Sequence, residues 1–483
     1  MVGVGKPRLD KHGKILSRLF ENLALFHILK RTYGPHEVTT HAPATLADVR
    51  RRFLKNLSYV CDYRKGGDTT TSMALEDKRK SVVFWVAGNL TPRDKVVQFL
   101  TEILELLRNE PQQTEAEQKT LEDRLGRRCA EFAAPRLKKE CKLLHRAARY
   151  CENHLKLDAD TSQQTEAKEL SQWLSQFAYS TETDILTLCQ TAYDARHDPQ
   201  MTTLRTLSQQ LNVAPPETTK TFQAVRHFIG RLAERVRTSK HLVQDHLSLR
   251  SLLDSYEIKR VDAPTSAKVP PADGLRNLNS ILKRMLPAND PRLEGMQSYI
   301  SRLNGPMNLE EAIRNMYEED TGQLCVHSEI QVLEEFHRNR RNFVGNDRYI
   351  ACTPESHQKT YLNWRPVELP GGWKNEHWLD QRRVLAMISS DLAKAVEMQI
   401  INQQQPNPRQ PDSMTNITAS MAEFNLSESQ ETGGEDEWSE DSASLAHLNE
   451  EELSDEYVSE RDEHSEESES SDEESDGGVE LEI

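Results

Sequence analysis

The stretch CVHSEIQVLEEFHRN, residues Cys325 to Asn339, sets an imidazole and a carboxylate two positions apart at the predicted start of a helix: His327 and Glu329. An imidazole can hold a divalent metal, and a carboxylate beside a metal-bound water can move that water's protons. A catalytic zinc takes three protein ligands and leaves a fourth position open for water. Among 16 histidines an H-x-E spacing arises readily by chance, so the other ligands decide what it means. Cys325, His337, Cys352 and His357 are the nearest candidates in sequence, and Cys352 is the substitute ligand carried forward. His337 is ten residues from His327, nearly three helical turns away. The alternative for His327 is a structural imidazole, hydrogen-bonded to backbone at a helix start.

Several elements must position these groups. Helical spacing of Val49, Phe53, Leu57 and Val60 or Cys61 predicts a helix from Leu46 to Tyr63, ended by Gly66 and Gly67. The segments DTTTSMALED and SVVFWVAGN, rich in β-branched and aromatic residues and separated by DKRK, predict a β-hairpin over 69–87. A helix is expected over Val326–Arg338, a strand over Arg348–Cys352, and a closing helix from Trp378 to Ile401. An N-terminal helix runs from Lys14 to Thr32. From Thr91, expected to cap a helix with Pro92 in its first turn, to about Asn304 the spacing is helical throughout. No fixed period marks a solenoid.

The blocks CVHSEIQVLEEFHRNRRNFVGNDRYIACT, SHQKTYLNWRP and RRRFLKNLSYVCDYRKGGDTTTSMALED with VVFWVAGN resemble a deaminase-like family found mainly in fungi. That family is a branch of the cytidine and nucleic-acid zinc-deaminase superfamily. The resemblance covers about a third of the chain. It implies a mixed α/β sheet, with His327 as zinc ligand and Glu329 as proton shuttle for a nucleobase or nucleoside substrate. In the superfamily a helix and a β-hairpin precede the H-x-E helix, and a P-C-x-x-C completes the metal site. Here Cys352 is followed by only Thr353, Pro354 and Glu355 before SHQK, and no pair of the seven cysteines has CxxC spacing. Either neighbouring helices cover the sheet face that the absent segment would cover, or the chain is an incomplete product. The chain as written is expected to bind little zinc and to leave cytosine and adenine bases intact.

The expected organisation is therefore an N-terminal helical segment (1–44), a discontinuous deaminase-like domain (45–90 with 308–402), an all-helical insertion (91–304), and a linker with a disordered acidic tail (403–483). Residues 421–483 hold 25 Asp and Glu against the single basic Arg461, whereas residues 1–420 hold 60 basic and 52 acidic side chains. A tail so charged buries too little to offset the entropy of ordering, and its serines suit acid-directed phosphorylation. An alternative function follows: a helical interaction or scaffold protein, with protein partners on the helices or the acidic tail. The basic clusters RRRF (50–53) and HRNRRN (337–342), with Tyr361, Trp364 and Trp373 nearby, make nucleic acid or a nucleoside a candidate ligand. Scattered cysteines, a polar N-terminus and no long apolar run point to an intracellular protein, cytoplasmic or nuclear, without a membrane span.

Overall fold

The computed structural model describes residues 9–29, 45–64, 69–92, 94–110, 114–157, 164–180, 183–209, 216–286, 289–318, 323–352, 364–402 and 478–480. In chain order its elements are α1 (Lys11–Ile28), α2 (Leu46–Cys61), β1 (Thr71–Asp77), β2 (Val82–Gly88), α3 (Asp94–Asn109), α4 (Glu115–Phe132), α5 (Ala134–Leu157), α6 (Gln164–Leu174), α7 (Ile185–Ala195), α8 (Pro199–Gln209), α9 (Pro216–Leu249) and β3 (Tyr256–Arg260). There follow β4 (Ala267–Lys268), α10 (Leu278–Met285), α11 (Leu293–Met307), α12 (Leu309–Glu318), β5 (Gln323–Leu324), α13 (Ser328–Arg338), β6 (Tyr349–Cys352), α14 (Trp378–Asn402) and β7 (Gly478–Glu480), besides short 3-10 turns.

The chain divides into two compact units: Met1–Gly34, Pro264–His327 and His357–Pro411 form one, and Pro35–Ala263, Ser328–Ser356 and Asp412–Ile483 form the other. The second, the sheet unit, is built on the β1–β2 hairpin, paired antiparallel from Thr71↔Gly88 to Asp77↔Val82. Its turn needs Arg79 at φ 63, and the Arg79 N–H donates to Asp77 Oδ1 at 2.7 Å. β6 pairs antiparallel with β1, β3 pairs parallel with β2, and β7 pairs antiparallel with β6, giving the order β3-β2-β1-β6-β7.

Both faces of the hairpin are covered. On one face Met73, Leu75, Phe84 and Val86 pack with Phe53 and Leu57 of α2 and with apolar residues of α3, α4 and α9. On the other, Ala74, Val83, Trp85 and Ala87 pack with Val332 and Phe336 of α13 and Ile350 of β6. Sheet strands buried on both sides read as continuous apolar runs, and VVFWVAG is one. So helices cover both faces of the hairpin.

α2 starts from a capping box in which Thr45 and Asp48 bond each other's backbone N–H. A second core joins α5 to α9 through Leu137, Leu144, Phe177, Phe228 and Leu232. Between them lies a buried ionic chain: Arg136 bonds Asp62 and Glu140 at 3.1 Å each, and Arg231 bonds Glu140 at 3.1 Å.

In the first unit, α1 packs along α14, and Leu25 of α1 and Leu29 just past its end share a core with Ile281, Ile300, Ile313, Val396 and Ile400. Arg284 grips buried Glu21 with two bonds of 2.8 Å, and Asn22 Nδ2 donates to the Ser389 carbonyl at 2.9 Å.

Two expectations need correction. Residues 91–304 are not all helical, because β3 re-enters the sheet beside β2 and β4 pairs with β5. Residues 308–327 and 364–402 do not complete the sheet's domain; they pack with α1, because the apolar stripe of α14 faces Leu19, Leu23, Leu25 and Leu29. Of the expected linker and tail, only the strand Gly478–Glu480 is among the described residues; 403–477 and 481–483 lie outside them.

Candidate functional site

Glu329 stands in the first turn of α13, where the unpaired N–H groups and the helix dipole favour an anion. That turn is fixed from below by the hairpin. The Ser328 N–H donates to Asn89 Oδ1 at 3.0 Å, just past the end of β2, and Gln331 Nε2 donates to the Gly88 carbonyl at 2.9 Å. The hydroxyls of Ser328 and Ser72, both fully buried, share a hydrogen bond of 2.7 Å. Gly88 is required here, since a Cβ would come within 2.5 Å of the Leu90 carbonyl oxygen.

Cys352, the last residue of β6, donates its thiol to Glu329 Oε2 at 3.7 Å. Loss of solvation and then the Glu329 charge push this thiol well above the ordinary cysteine range. Glu329, Cys352, Ser328 and Ser72 therefore form a single polar cluster at one end of the sheet, joined by the Ser328 Oγ to Glu329 Oε2 contact of 3.4 Å. Such a cluster can hold a carboxylate in place, ready to accept or return a proton.

His327 immediately precedes α13 and is 7% exposed; it is the last residue of the first unit, and the chain passes to the sheet unit at Ser328. Cys325 belongs to that first unit, where its carbonyl accepts from the Arg365 N–H at 2.9 Å in a bridge beside Trp364. His337 is exposed at the far end of α13, and His357 lies outside the described residues. Among the described residues no group of three or more His, Cys, Asp or Glu side chains is placed to hold a metal ion. A catalytic zinc takes three protein ligands, and the described residues do not bring such a set together around Glu329.

The basic clusters are engaged within the protein. Arg50 and Arg51 both pair with Asp347, at 3.2 and 2.9 Å, and Arg52 pairs with Asp245 at 2.6 Å. Arg341 bridges Glu76 and Glu335, with its guanidinium 4.1 Å from the Trp85 ring centre. Trp364 lines a cavity of about 550 Å³ with Leu19, Leu23 and Trp378 in the first unit, and Tyr361 lies outside the described residues.

Ser72 and Asn89, which fix the Glu329 turn, are residues that the sequence reading missed. The available signal was a serine inside an otherwise apolar buried strand, TSMALED, and an asparagine closing VVFWVAGN. No family model, no curated protein and no solved structure matches this chain.

Proposed function

We propose that this chain is a deaminase-like protein that keeps the acid–base half of a zinc-deaminase site and lacks the metal half, and that it works by binding a nucleoside-like ligand or a regulatory partner. The observation that carries this reading is Glu329, held at the start of a helix that lies on a β-hairpin, in a chain with no P-C-x-x-C after the following strand. The order of helix, hairpin, H-x-E helix and strand is the order that the resemblance implies. His327 as zinc ligand and Glu329 as proton shuttle belong to a complete version of the site. The test is the zinc content of the purified chain after dialysis against zinc. The reading expects far less than one equivalent, and a full equivalent that is lost in His327→Ala would overturn it.

One observation favours a second reading, the helical interaction protein. Val384, Met387 and Ile388 of α14 are 52, 60 and 42% exposed at i, i+3 and i+4 spacing, an apolar stripe on a helix surface. With the acidic tail as a phosphorylatable arm, partners would be captured by the full chain. Capture lost both in Met387→Glu and on removal of residues 421–483 supports this reading, and capture unchanged by both contradicts it.

A further inference from the structure

The strand β6 is four residues long and pairs with β1 along one edge, which leaves its other edge open to a further strand. An unpaired strand edge presents a row of N–H and C=O groups that any extended peptide can match. In this protein the row is matched from 127 to 131 positions further along the chain: Tyr349 faces Glu480, Ile350 faces Val479, and Ala351 faces Gly478, all antiparallel. The sequence supports the pairing independently. After a long run of serine and acid, GGVELEI alternates Val479, Leu481 and Ile483 with Glu480 and Glu482, the period of a half-buried strand.

We propose that the outer edge of β6 is a strand-docking site and that its occupant is the chain's own Gly478–Glu480 strand, tethered by the acidic stretch before it. Charge supports this occupant. Beside β6, Arg50 and Arg51 share the single carboxylate of Asp347, and Arg51 lies over the Tyr349 ring at 5.3 Å. Two guanidinium groups thus lie beside the strand that the acidic segment reaches. So short a strand binds weakly on its own, but a covalent tether raises its effective concentration enough for the edge to be filled. The docked strand holds β6, the strand whose Cys352 donates to Glu329, so the tail and the polar cluster are mechanically connected. This inference does not depend on the deaminase-like reading.

The experiment is hydrogen–deuterium exchange of the peptide covering Tyr349–Cys352, read by mass spectrometry, in the full chain, in a chain ending at Asp476, and in full-length Val479→Pro. The proline removes a backbone donor and leaves the tail's charge unchanged. Docking predicts that both variants speed exchange of the outward-facing amides about tenfold or more, and that the peptide GGVELEI added to the shortened chain restores protection. Exchange that is unchanged in both variants would overturn the proposal. Acceleration only in the shortened chain would also overturn it, because the effect would then belong to charge and not to a paired strand.

Discussion

The Cys352 thiol and the Glu329 carboxylate lie 3.7 Å apart, and the carboxylate bears on the thiol's chemistry. The carboxylate's charge and the loss of solvation keep the thiol protonated, so Cys352 is expected to react with iodoacetamide at pH 8 at least about tenfold more slowly than a free cysteine. Glu329→Gln removes the charge but not the burial, so it should speed that reaction in part; peptide mapping of the alkylated chain measures both. The buried pair of Ser72 and Ser328 makes a second prediction. Ser72→Ala leaves the Ser328 hydroxyl without this partner in the interior, which should cost about 1–3 kcal/mol of stability in urea unfolding. The place of Glu329 in the first turn of a helix was legible because it is set within one run of sequence. Ser72 and Asn89 were not legible as partners, because 256 and 239 residues separate them from Ser328 and only the sheet's register brings them together.

At the scale of elements, the ionic chain from α2 to α9 is the joint between the sheet and the helical layer. Arg136 is fully buried between Asp62 and Glu140, so Arg136→Ala takes from buried Asp62 its guanidinium and leaves Glu140 with Arg231 alone, which should cost about 3–5 kcal/mol, read from the shift in the urea midpoint. An Arg136→Ala variant as stable as the parent would show that the pairing contributes nothing. Helical and hairpin periods were strong enough to place α2, the hairpin and α14 within a few residues. β3 was hidden, because Tyr256–Arg260 is a five-residue alternation at the end of a long helical run, and its partner β2 is more than 160 positions away. The start of α3 was displaced for a similar reason. The Thr91 hydroxyl expected to cap it instead accepts the Ala263 N–H at 3.0 Å, and the helix begins at Asp94.

At the scale of the whole molecule, a mildly basic body carries a strongly acidic tail, and the body's arginines are largely committed to internal pairs. That arrangement gives the protein a pH dependence. Burial first, then Arg52, Arg237 and Arg196, push His241 down to about 3; burial and Arg250 push His246 down to about 4. Both are neutral in the folded protein but take up protons near pH 6.5 when unfolded, so their contribution is full above pH 6.5 and is lost as the pH falls towards 4. Between pH 7 and 5 the loss should be roughly 1–2 kcal/mol per histidine, and His241→Gln should flatten the dependence of the urea midpoint on pH. Among the described residues no helix is long and apolar enough to cross a membrane. What the sequence could not convey was how the chain partitions: its N-terminal helix, the 264–327 stretch and α14 assemble as one unit, through apolar contacts between segments hundreds of residues apart. The measurement that tests the central claim most directly is ammonia release from cytidine, adenosine and single-stranded nucleic acid by the full chain supplied with zinc, beside Glu329→Ala. The account predicts no release above buffer from either protein. Zinc-dependent release that disappears in Glu329→Ala would contradict it and would make the chain a working deaminase.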